Sequence, residues 1–184
     1  MKKPAPAHTR NAEAELAGFI DKFTPEMAAS IRAVREALRK RLPAANELVY
    51  DNYNALAIGF APSERASEAI FSIALYPKWV SLFFLQAKEL PDPGRILRGS
   101  GTVAKHVVLA SPEMLDDPAV QELMRQAQDL AKVPFDPRGA HQLIIKSISA
   151  NQRPRRPAAK SVPPAARPGT LGKSKRKSAS TRKP

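Results

Sequence analysis

The fold turns on Glu47–Phe60, "ELVYDNYNALAIGF". Before this stretch, apolar residues recur at helical spacing; inside it they recur at about every second position, the period of a strand. Asp51-Asn52 interrupts the pattern, so the stretch reads as two strands or one bent strand. Towards the N-terminus, Leu16, Phe19, Ile20 and Phe23 share one side of a helix starting near Asn11. Thr24-Pro25-Glu26 begins a second helix, with threonine as N-cap and proline where no hydrogen bond is lost. Ile31, Val34, Leu38 and Leu42 line its apolar face, Arg32, Arg35, Arg39, Lys40 and Arg41 fall mostly elsewhere, and Pro43 ends it.

Towards the C-terminus the strand period continues. "EAIFSIALY" alternates, Pro77-Lys78 is a short turn, and "WVSLFFLQ" is apolar on both faces, which marks a central strand. "PDPG" is a turn cluster and "HVVLA" a further strand. Asp117-Pro118 caps a last helix with Val120, Leu123, Met124, Ala127 and Leu130 on its buried stripe, and "HQLIIKSIS" adds an edge strand. Tight turns predict antiparallel pairing, and helices grouped at the ends of the strand run predict an α+β fold. The expected architecture is an antiparallel sheet of about four to six strands with N-terminal and C-terminal helices packed on one face.

The net charge of +13 is unevenly placed. Residues 151–184 hold 11 of the 30 lysines and arginines and none of the 17 acids, leaving residues 1–150 near neutral. Pro, Ala, Ser, Lys and Arg dominate this tail, which cannot bury enough surface to offset chain entropy and is expected to be disordered. The resulting division is a flexible N-terminus at 1–10, a folded domain at 11–150 and a basic tail at 151–184. The chain has no cysteine, which excludes disulfides and thiolate metal sites within it. "MKKPAPAHTRNAEAE" lacks the apolar core of a signal peptide, and no apolar run reaches membrane-span length. A cytoplasmic setting is expected.

The segments "VYDNYNALAIGF", "SIALYPKWVSLFFLQ", "LRGSGTVAKHVVL" and "IIKSISANQRPRRP" together resemble the YdhG-like family of small bacterial domains, a family of unknown function. The resemblance spans roughly residues 25–150 and reaches a frataxin-like iron chaperone that is similar to this family. It implies a compact α+β domain, an intracellular setting and a hint of iron handling, with no catalytic residues to carry over. Frataxin-type binding uses an acidic ridge, for which Glu13, Glu15 and Asp21 are the nearest acids. Iron enters only through this resemblance; the residues themselves imply no cofactor.

Two candidate sites stand in the domain. Arg98, Gly99, Ser100, Gly101, Lys105 and His106 have the composition of an anion cradle, with glycines letting backbone N–H groups converge. The spacing is not that of a P-loop, and the alternative is a glycine-rich loop feeding a strand with its charges in solvent. Tyr50, Asp51, Asn52 and Tyr53 form a polar-aromatic patch that, with Trp79, would line a pocket. The alternative is a bend whose Asp and Asn bond their own backbone. His8, His106 and His141 lack zinc-ligand spacing, there is no G-x-S-x-G elbow, and Asp116-Asp117 reads as a helix cap.

The tail carries the clearest functional signal. Arg153, Arg155, Arg156, Lys160, Arg167, Lys173, Lys175, Arg176, Lys177, Arg182 and Lys183 suit non-specific binding of DNA, RNA or another polyanion. The three arginines around prolines lack the central glycine of a minor-groove hook, so no base preference follows. The sequence therefore reads as a non-catalytic binding module whose domain recognises a small ligand or a protein. The alternatives are a frataxin-like iron chaperone and an enzyme with an anion-binding pocket.

Overall fold

The computed structural model describes residues 7–156. Its helices are α1 (Ala7–Ile20), α2 (Pro25–Arg41) and α3 (Pro118–Asp129). Its strands are β1 (Asn46–Asp51), β2 (Leu56–Ala61), β3 (Phe71–Leu75), β4 (Val80–Phe84), β5 (Lys105–Leu109) and β6 (Leu143–Ile148). They form one six-stranded sheet in the order β5-β4-β3-β2-β1-β6. No helix among the described residues is long and apolar enough to cross a membrane.

Local chemistry sets the element ends. The Thr24 hydroxyl accepts the Met27 N–H at 3.3 Å, with Pro25 in the first turn of α2. Asp117 caps α3 by accepting the N–H of Ala119 at 2.8 Å. The break after Asp51 is a turn closed by Asn52 N–H to Ala55 O at 3.0 Å, so Glu47–Phe60 is two paired strands rather than one bent strand. Helix α1 begins at Ala7, so residues 7–10 belong to it rather than to a loose N-terminus. Once the Leu16–Ile20 turn is nucleated, each further residue adds a hydrogen bond at little entropic cost.

The expected α+β class holds, with one correction to the pairing. Neighbours from β5 through β1 are antiparallel, but β6 runs parallel to β1, so the sheet is mixed. β5 and β6 occupy opposite edges, and the chain between them crosses by way of α3. A long crossover of this kind permits a parallel partner, whereas a tight hairpin does not. An irregularity between Val49 and Tyr50 shifts the β1–β6 register from Val49↔Ile145 to Tyr50↔Ser147.

Strand alternation sorts the side chains onto two faces. Val49, Ile58, Ile73, Leu82 and Val107 form one row across five strands. They join Leu16, Ile31, Leu38, Val120 and Leu123 of the helices in a single core. The other face has only a small cluster of Leu48, Ala61 and Ala69, to which no helix contributes. All three helices therefore cover one face, and the opposite face is left without a helical layer.

Candidate functional site

The same alternation turns Glu47 and Asp51 of β1 toward the helix layer, on either side of Val49. Both carboxylates are 0% exposed. A buried carboxylate persists only with cations and hydrogen bonds around it. Each has its own set, at opposite ends of the strand.

Asp51 is met by Lys22 Nζ at 2.7 Å, Arg155 Nη2 at 2.9 Å and Gln152 Nε2 at 2.6 Å. Arg155 is only 3% exposed, donates also to Asn52 O, and lies over the Phe23 ring. Arg156 donates to the carbonyls of Phe23 and Asp21, both at 2.8 Å. The Arg153 N–H donates to Tyr53 O at 2.9 Å, and its guanidinium stands over the Tyr53 ring. Ser149 N–H donates to Asp51 O at 2.9 Å. Residues 149–156 are thus a strap joining the β1–β2 turn to the α1–α2 turn.

This moves the expected domain boundary from 150 to at least 156. It also places Arg155, one of the residues assigned to polyanion binding, inside the domain, buried on Asp51, whereas Arg156 stays exposed with its guanidinium on two backbone carbonyls. The physical reason is Asp51, whose burial demands more positive charge than half-exposed Lys22 provides. The remaining tail residues, Lys160, Arg167, Lys173, Lys175, Arg176, Lys177, Arg182 and Lys183, lie outside the described residues.

Glu47 is held by Arg35 Nε at 2.5 Å and Arg39 Nε at 3.2 Å. Arg35 also forks onto Glu13 at 2.8 and 2.9 Å. His141 donates from Nδ1 to Ala45 O at 2.7 Å, since a carbonyl can only accept, and its Nε2 faces Glu47 at 3.3 Å. Burial pushes the Glu13 carboxyl up, but the hydrogen bond and charge of Arg35, with Arg39 and His141, outweigh it and hold Glu13 below the usual range. For Arg35, burial favours the neutral form and is overcome by Glu13 and Glu47, which raise its pKa. Asp21 is paired with Arg32 at 2.5 Å. Two of the three acids that the resemblance offers for iron are therefore bound to arginine. Among the described residues no group of three or more His, Asp or Glu is placed to hold a metal ion.

The other predicted residues are dispersed. Asp51, Asn52 and Tyr53 are together at the β1–β2 turn, but Trp79 immediately precedes β4, three strand spacings or about 14 Å across the sheet. Tyr50 points away from the helices; burial raises its hydroxyl pKa, and Oη has no partner among the described residues. Arg98 and His106 bond each other through their backbones at 2.7 and 2.9 Å, closing the glycine loop. Gly99 has φ +109°, and a Cβ on Gly101 would meet Ala104 O at 2.9 Å, so both glycines serve this tight closure. Lys105 and His106 alternate to opposite faces of β5, so the loop does not gather both around one anion with Arg98.

Sequence reading missed Lys22 and Gln152 as partners of Asp51, and the Glu47–Arg35–Glu13 cluster. A signal for both was present: Glu47, Val49 and Asp51 at alternate positions place two acids on the inward face of a strand. No family model, curated protein or solved structure matches the chain.

Proposed function

We propose that the chain is a YdhG-like, non-catalytic binding module whose folded body is attached to nucleic acid or another polyanion by its basic C-terminal segment. The observation that carries this reading is the separation of charge at the end of the strap. Residues 157–184 contain eight lysines and arginines and no acid, against 22 basic and 17 acidic residues in 1–156. Within the body much of the positive charge is matched internally, by Glu13, Asp21, Glu47 and Asp51. The strap fixes where the basic segment leaves the domain, beside the α1–α2 turn.

Association of such a segment with phosphates is driven by counterion release and weakens with salt. With about five phosphates engaged, log K falls against log salt with a slope near −4.5. The test is anisotropy of labelled duplex DNA across a salt series, with the full chain and with Lys173, Lys175, Arg176 and Lys177 all changed to Gln. The variant should lose up to about 3.6 of the slope, at 0.9 per cation removed. Equal slopes for the two proteins, or no binding by the full chain at 50 mM salt, would refute the reading.

A further inference from the structure

We propose that the sheet face turned away from the helices is a stacking platform for the bases of single-stranded nucleic acid. This rests on the polyanion reading above and names which polyanion the body prefers. The first support is the placement of aromatic side chains. Five of the phenylalanines, Phe19, Phe23, Phe60, Phe71 and Phe84, are in the core under the helices. Tyr50 and Phe83 instead share the opposite face, each beside rows of small residues: Tyr50 with Ala57, Ala74 and Ser81, Phe83 with Gly59 and Ser72. Trp79, in the β3–β4 turn immediately before β4, stacks on Tyr76 with centroids 4.9 Å apart. Phe83 stacks on His106 at 4.8 Å. Trp79, just before β4, and Phe83 within it are four residues apart, about 13 Å in extended chain. Trp79 is 45% exposed and Tyr53, at the same end of the sheet, is 50% exposed.

Charge is the second support. Among the described residues, no Asp or Glu lies on this face of the six strands. Exposed cations stand at three of its margins: Lys78 in the β3–β4 turn, Arg98 beside His106, and Arg153 over Tyr53. Aromatic rings on a sheet face without a helical layer, flanked by cations and with no carboxylate on its strands, match the needs of unstacked bases and their phosphates. Duplex bases already stack on one another and cannot use such rings, so the platform selects single strands.

Trp79 is the chain's single tryptophan, so its emission reports on the platform alone. The experiment titrates the full chain with a 15-mer of deoxythymidine and, separately, with heparin, which has charge but no bases. The expected result is quenching of Trp79 by the oligonucleotide and not by heparin. Trp79→Leu and Phe83→Leu should each weaken binding of labelled oligonucleotide by about 5- to 100-fold while leaving the salt slope and heparin binding as in the wild type. Because Trp79 is half exposed, its substitution leaves the core intact, and Phe83→Leu retains the fluorescent signal. Oligonucleotide binding without quenching, and at unchanged affinity in both variants, overturns the platform but leaves the basic segment as the anchor. Failure of both oligonucleotide and heparin to bind overturns both readings. A Trp79 emission that shifts with protein concentration alone, alongside a dimer mass, assigns the face to self-association and also overturns the proposal.

Discussion

Ending the chain after residue 150 instead of 156 should destabilise the domain by about 3 kcal/mol. The truncation removes Arg155, which is 3% exposed and 2.9 Å from a fully buried Asp51. Removing one partner of a buried pair costs about 3–5 kcal/mol, because the other charge stays buried without its match. Lys22 remains 2.7 Å from Asp51, and its side chain is 40% exposed, so the loss falls at the lower end. In a domain of this size that is a fall in Tm of roughly 6–12 °C. Gln152 and Arg156 also lose their bonds, but in better solvated positions where water replaces them. Full-length Arg155→Ala should therefore reproduce most of the effect. Urea unfolding of chains 1–184, 1–156 and 1–150, and of full-length Arg155→Ala, separates the contributions. The first two should share a midpoint and the last two should fall together below it. Chains 1–150 and 1–156 unfolding at the same midpoint would refute the strap as part of the domain. A cycle of Asp51→Asn with Arg155→Ala supplies the sign: the double variant should lose less than the sum of the singles.

Two further expectations follow from the charge network and the caps. Glu13 titrates below its ordinary 4.5 in the folded state, so its contribution is present above that value and disappears as pH falls through the folded pKa. Glu13→Gln should accordingly be less stable than wild type at pH 7, with a gap that closes below pH 4.5; a gap constant from pH 7 to pH 3 contradicts the Arg35 pairing as its source. Asp117→Ala should cost about 1 kcal/mol in urea unfolding through loss of the α3 cap, and Asp117→Asn should retain most of it; an unchanged midpoint for the alanine variant argues against the cap.

Much of the fold was legible because it is written in local periods. The change near Asn46 from a helical to an alternating apolar pattern marks the real junction between α2 and β1. Thr24-Pro25 and Asp117-Pro118 act through atoms within three residues, so their capping roles follow from chain order alone. "HQLIIKSIS" was readable as an edge strand, but its direction was not. Alternation is the same for parallel and antiparallel strands, and only the path of α3 over the sheet sets it. The candidate site divides in the same way. Asp51, Asn52 and Tyr53 stand out in sequence, and they do sit together. Trp79 could be joined to them only by assuming that nearby strands are adjacent, and β2 and β3 intervene.

By itself, then, the order of residues determined the α+β class, the starts of α2 and α3, the inward and outward faces of the strands, and the gathering of positive charge at the C-terminal end. Each of these depends on neighbours a few positions away or on bulk composition. Tertiary structure alone decided which cations neutralise the two inward acids of β1, and hence where the domain ends. Arg155 reads as one more basic residue of a proline-rich tail, and it becomes part of the core only when Asp51, 104 positions earlier, is buried beside it. The need of a buried carboxylate for countercharge is visible in the sequence; the residue that meets it is chosen by the closure of that loop.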